Sequence, residues 1–101
     1  MNNLQLNIND YLNFCESQKR LDAKTLKAYK IDLKQFTSYI SISEPSEITP
    51  KLLENYISHL HKTFKPKTVK RKIASTKALL HYFECKDIIT YNPFNKLYIK
   101  F

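Results

Sequence analysis

Glycine occurs nowhere in the 101 residues of this chain. A chain without glycine has no residue that enters the left-handed backbone region at little cost, so every such turn falls to Asn or Asp first. Tight two-residue hairpins and phosphate-cradling loops, which lean on glycine, are disfavoured. The fold class expected is therefore all-α. Apolar residues make up 43% of the chain, and aromatics are spread along its whole length, which marks a folding sequence and not a disordered tail. The length suits one core but not two.

Four helical segments follow from the spacing of apolar residues. The first is expected to start near Asn7 or Asn9 and run to about Arg20, with Ile8, Tyr11, Leu12 and Cys15 as its stripe. Asp22 is placed as the cap of a second helix reaching Ile40, whose stripe is Leu26, Tyr29, Leu33, Phe36 and Ile40. Ser41 to Ile48 is a loop, and Thr49-Pro50 restarts the chain as cap and first helical residue. Leu53, Tyr56, Ile57 and Leu60 then face inward. A fourth helix runs from Pro66 or Lys67 to Lys86, with Val69, Ile73, Thr76, Leu80 and Phe83 on one face. Asn92-Pro93 breaks the pattern, and Phe94 to Phe101 reads as an extended segment or linker. This gives a folded unit over 1–92 and a linker over 93–101.

Several classes of function are disfavoured. No apolar run approaches the ~20 residues of a membrane span, and the N-terminus lacks a secretory pattern, so a cytoplasmic protein without a membrane partner is expected. Cys15 and Cys85 are too few for a disulfide framework or a zinc site, and read as two reduced, partly buried thiols. His59, His61 and His81 form no metal pattern with carboxylates. No metal, cofactor or small-molecule ligand is expected.

The formal net charge is +8 and the pI about 9.5, which points to an anionic partner. Placement says more than the total, because a lysine-rich composition alone raises it. Placed at about 100° per residue, the fourth helix carries Lys67, Lys70, Arg71, Ala74, Lys77, Ala78 and His81 opposite its apolar stripe. Lys72 flanks the core edge, where its stem can cover apolar surface. No acidic residue occurs from Asn55 to Phe83. An ordinary solvated face mixes Glu with Lys, since such pairs add a few tenths of a kcal/mol each. Here a basic rim surrounds a low alanine centre, which suits a helix lying in the major groove of double-stranded DNA. On the second helix, Lys24, Lys27, Lys30 and Lys34 gather away from the stripe, with Asp22 and Asp32 to one flank. Arg71 is the candidate for a bidentate contact to a base or phosphate, because lysine offers only a point charge.

Tyrosine invites the idea of a covalent nucleophile. Tyr11, Tyr29, Tyr56 and Tyr82 fall on or beside apolar stripes and read as core or boundary residues. Covalent chemistry on DNA would need clustered arginines and a histidine, and Arg20 and Arg71 are the only arginines. No catalytic residue is assigned.

The stretch Thr25-Leu26-Lys27-Ala28-Tyr29-Lys30-Ile31-Asp32-Leu33-Lys34-Gln35-Phe36 resembles the T-x-x-x-Y-x-x-D-L-x-x-F signature of the core-binding domain in Xer-like tyrosine recombinases and phage integrases. Pro66 to Phe83 is similar to that domain's last long helix, and Ile88 to Phe94 to the family's exit into its linker. The resemblance covers about residues 5 to 95. It implies a SAM-like bundle of four to five helices that covers one face of DNA, while a catalytic domain absent from this chain covers the other. The second and fourth helices would face the major groove, and other recombinase protomers would be partners. By position it puts Thr25, Lys67, Thr68, Lys70, Arg71, Ala74 and Lys77 at the DNA, beside Lys24, Lys27, Lys34 and His81 from the charge pattern. Ala74 stands where the family commonly has a small hydroxyl residue, and Lys72 and Lys77 where it has arginine. Tyr29, Asp32 and Phe36 read as architectural, with Asp32 pairing to a basic neighbour. Two other readings stay open: a helical protein-interaction domain, and a stand-alone DNA-binding regulator.

Overall fold

The computed structural model describes residues 2–97. Its four helices are α1 (Asn3–Ser17), α2 (Ala23–Ile40), α3 (Pro50–Thr63) and α4 (Pro66–Cys85), and single 3-10 turns form at Pro45–Glu47 and Pro93–Lys96. Among the described residues there is no strand, as expected of a glycine-free chain. No helix among them is long and apolar enough to cross a membrane.

Caps mark three of the starts. Asp22 accepts from the backbone N–H of Thr25 at 2.8 Å, and Thr49 from that of Leu52 at 3.2 Å, with Pro50 in the first turn. The third start departs from expectation. Helix α1 begins a full turn early, capped by Asn2, because Leu4 extends the stripe backwards to give Leu4, Ile8, Tyr11 and Cys15, all buried. Two contacts with the distant loop hold that extra turn. Leu4 N–H donates to the Ser43 carbonyl at 2.8 Å, and Asn3 Nδ2 donates to the Glu44 carboxylate at 2.7 and 3.0 Å. Such tertiary bonds are invisible to a helical-spacing argument.

Helix ends show how the chain manages without glycine. Arg20, Ser41 and Asp87 take positive φ of 56°, 48° and 58°. Only Asp87 is of the expected Asn or Asp type. At α4 the Ile88 N–H reaches back to the Phe83 carbonyl at 2.8 Å over Asp87, the bond pattern of a Schellman end. Arg20 and Ser41 enter the left-handed region at a cost of about 1–2 kcal/mol each, Ser41 with its N–H on the Thr37 carbonyl and its Oγ on that of Ser38.

Helix α2 packs against α1, α3 and α4, and α4 also touches α1 and α3, so α2 and α4 together form the spine of the molecule. Phe36 and Phe83 are fully buried between them, with Leu33, Leu53, Leu60, Leu79 and Leu80. Leu79 joins the core although the spacing argument left it out. Tyr11 and Phe14 of α1 each stand 5.1 Å from the Tyr82 ring, and Phe36 stands 5.1 Å from Tyr56, edge-on. The four tyrosines assigned to core or boundary are buried or half-buried. The cysteines differ from expectation: Cys15 is buried, but Cys85 is exposed at the end of α4.

The segment after Asn92 also differs. Pro93–Lys96 forms a 3-10 turn that packs on α3, with Pro93 and Phe94 buried and the Asn92 side chain accepting from the Phe94 N–H at 3.0 Å. An extended linker was expected because proline stops α4-type helix, but Phe94 finds a place in the core. Residues 98–101 of that expected linker lie outside the described residues.

Candidate nucleic-acid interface

On α4, the residues opposite the buried stripe are presented as the spacing demands. Lys67, Lys70, Arg71, Ala74, Lys77 and His81 are exposed, and Thr68 is half-buried. Ala74 leaves the middle of this face low. Lys67 and Lys70 lie in its first half, and Lys77 and His81 in its second. The His81 Nε2 lies 3.6 Å from the Cys85 Sγ, one turn on.

On α2, Lys24, Lys27 and Lys34 are exposed and Thr25 is half-buried. The structure divides this group. Thr25 lies two turns before Asp32 on the side that meets α4, with Lys24 beside it. Lys27 turns the other way and lines the groove between α1 and α2, with Lys30. Lys34 stands on the crest, bordering the α1–α2 groove on one side and the α2–α3 groove on the other. The contacts across the α2–α4 seam join Asp32 and Gln35 of α2 to Arg71, Lys72 and Ser75 of α4, and Thr25 lies on the Asp32 side of α2. Lys27 and Lys34 stand apart from it.

At the centre of the seam is a side chain that the spacing argument put on a flank. Asp32 is fully buried. Its Oδ1 accepts from Arg71 Nη2 at 2.9 Å and from Lys72 Nζ at 2.9 Å. Its Oδ2 accepts from Arg71 Nε at 3.2 Å and from Ser75 Oγ at 3.0 Å. A carboxylate has about four lone-pair sites, and here all are filled. Lys72 also donates to Gln35 Oε1, and its ammonium sits 4.9 Å from the centroid of the Phe64 ring. The pairing expected of Asp32 with a basic neighbour is present, and doubled.

Lys72 departs from the reading in which only its stem covered apolar surface. The whole side chain is buried, 3% exposed, because Asp32, Gln35 and Phe64 supply partners for the ammonium inside the protein. Arg71 is different: its side chain is 51% exposed although two of its nitrogens grip Asp32.

Burial alone would raise the Asp32 carboxyl. Hydrogen bonds from Arg71, Lys72 and Ser75, with the Lys72 charge, outweigh it and hold the group below the usual carboxylate range. Asp32 is therefore ionised at neutral pH, and with Arg71 and Lys72 the cluster carries one net positive charge. Sequence reasoning missed Lys72, Ser75 and Gln35 as parts of this cluster. The available signal was an acid set among stripe residues, one position before Leu33 and four before Phe36, opposite a helix that has no acid of its own before Glu84.

Among the described residues no group of three or more His, Cys, Asp or Glu side chains could hold a metal ion. The surface is built for charge and hydrogen bonding.

Comparison with known proteins agrees with the resemblance read from the motifs. Residues 8–85 match the family described as phage integrase, N-terminal SAM-like domain. A tyrosine recombinase of Agathobacter rectalis is 58% identical over 101 residues, all of this chain and 33% of the relative. Tyrosine recombinase XerC of Thermodesulfovibrio yellowstonii is 33% identical over 92% of this chain and 31% of its own length. For tyrosine recombinase XerD of Listeria innocua the identity is 32%, over 85% of this chain and 31% of the relative. The chain thus spans about a third of the length of these relatives. No solved structure matches it. With four helices, no strand among the described residues and a family match over 8–85, this chain belongs to the phage-integrase N-terminal SAM-like domain family.

Proposed function

We propose that the chain is the non-catalytic DNA-binding domain of a site-specific tyrosine recombinase acting in DNA integration and recombination. It lays the α2–α4 face in the major groove of double-stranded DNA as half of a clamp. Catalysis, in this reading, belongs to the remaining two-thirds of a protein like the relatives. The partners are duplex DNA and other recombinase protomers, and the site of action is the cytoplasm, where bacterial DNA lies.

One observation carries the reading. The exposed face of α4 is lined with Lys67, Lys70, Arg71, Lys77 and His81 around Ala74, and the carboxylate closest to it, Asp32, is turned inward and saturated. A duplex approaching this face meets exposed basic side chains around a centre low enough for close contact. Lys24 and Thr25 extend the face onto α2.

The test is an NMR titration of the labelled 101-residue chain with a short duplex, at about 50 mM and about 200 mM salt. Shifts concentrated on Thr25–Lys34 and Lys67–His81 are expected. With about four to six phosphate contacts, affinity should fall on the order of 10²–10³-fold between the two salts, through counterion release. Absence of shifts at the lower salt would overturn the reading. Shifts confined to the α2–α3 groove, where Ile31 and Tyr39 are exposed beside His59 and Phe64, would favour a protein-interaction domain instead.

A further inference from the structure

Arginine has five N–H donors in a planar fork. Asp32 takes two of Arg71's, the Nε–H and one on Nη2, along one edge of the guanidinium. The opposite edge, with Nη1 and the second Nη2 hydrogen, is left for a ligand, and the side chain is 51% exposed. The carboxylate doing this is itself held, because Lys72 and Ser75 occupy its remaining acceptor positions and Lys72 also donates to Gln35. Arg71 is thus held by Asp32 along one edge while half of its side chain stays exposed.

Its setting fits one kind of acceptor pair. Thr68 and Ala74 lie one turn to either side of Arg71 on α4, and Ala78 one turn further, so small residues border it there, with Lys67 as the one long side chain a turn before it. The long lysines, Lys70 and Lys77, stand further round the helix. A duplex resting on those lysines by its phosphates brings the base edges, not the backbone, to the low centre. In the major groove the acceptor pair matching an end-on guanidinium is O6 and N7 of guanine.

We propose that Arg71, held by Asp32, is the base-reading residue of this face and contacts a guanine through its Nη1/Nη2 edge, while the lysines grip phosphate. Asp32 is a positioning residue: it touches no DNA and fixes the direction of the fork. The inference rests on the DNA-binding reading above.

The experiment selects duplexes from a library randomised over about 20 base pairs, using the 101-residue chain at about 50 mM salt. The affinity of a selected duplex is then measured with guanine replaced, one position at a time, by 7-deazaguanine. That base lacks the N7 acceptor but keeps its pairing and its phosphate. One position is expected to weaken binding about fivefold or more, the lower end of what a bidentate base contact supplies. The same replacement should have little effect on Arg71→Lys. The double variant Asp32→Asn/Lys72→Met removes one negative and one positive charge, so net charge is unchanged. It should lose the guanine preference while keeping the wild-type dependence of affinity on salt, a pattern that general damage to the fold does not produce. Should the double variant fail to fold, Arg71→Lys and the modified duplexes decide the matter, since Arg71 is half exposed. Wild-type binding without guanine preference, with Arg71→Lys weakening all duplexes alike, would make Arg71 a phosphate contact and sink the inference, leaving DNA binding intact. No binding to any duplex would remove both.

Discussion

Asp32 shows how far a single residue's role can depart from its position in a pattern. Helical spacing puts it on a flank of α2 and the motif makes it architectural, and in the structure both its oxygens are filled by donors from α4. Its pairing could be guessed from the motif; its burial could not, because that depends on where α4 crosses. Replacing Asp32 alone with Asn should cost about 3–5 kcal/mol in urea unfolding, since the Lys72 ammonium stays buried without its counter-charge. The pH dependence has a definite sign. The folded carboxyl is held below its unfolded value of about 3.9, so its stabilisation is complete well above that pH and is lost as pH falls through the folded value. Urea midpoints at pH 7 and pH 3 should therefore separate more for wild type than for Asp32→Asn/Lys72→Met. Equal separations would show that Asp32 gains nothing from its partners. The exposed members of the face were legible for a simpler reason: a helix shows its periodicity in the sequence, and Lys67, Lys70, Arg71, Lys77 and His81 are where about 100° per residue puts them. The division of the α2 lysines was hidden, because a helical wheel has no knowledge of α1 beside it.

At the level of the element, helices were readable and ends less so. Asp22 and Thr49 announce α2 and α3 because a cap is a local bond, donor and acceptor within three residues. The start of α1 depends on Ser43 and Glu44, some 40 residues away, and no local rule finds it. The absence of glycine forbade the easy helix stop and so exposed which residues are forced into the left-handed region. Ser41, the C-cap of α2 at φ 48°, is the clearest case, for it carries a Cβ into a region that penalises one. Ser41→Gly should relieve that penalty, less the extra chain entropy glycine loses on folding, for a net gain of about 0.5 kcal/mol. In a domain of this size that corresponds to a rise of roughly 2–4 °C in Tm. A calorimetric scan showing a lower Tm would mean that the Ser41 conformation is unstrained.

For the molecule as a whole, the all-helical class followed from composition and pattern, and the grouping of helices did not. That grouping is set by long-range packing, and its clearest surprise is the turn beyond Asn92. Phe94 is 7% exposed, in a 3-10 turn over Pro93–Lys96 that packs on α3, where an extended segment was expected. Phe94→Ala should cost about 3 kcal/mol or more by urea unfolding, as for other large aromatic truncations in a core. A loss under about 0.5 kcal/mol would return this segment to the status of a linker. The saturated carboxylate has a consequence on a longer timescale than any of these measurements. Asp32 and its partners Arg71, Lys72 and Ser75 are 39 to 43 residues apart in the chain. Loss of Asp32 strands the buried Lys72 ammonium, so these two positions, 40 residues apart, are expected to change together in a lineage. Two distant stretches of the gene are thereby bound to drift in step.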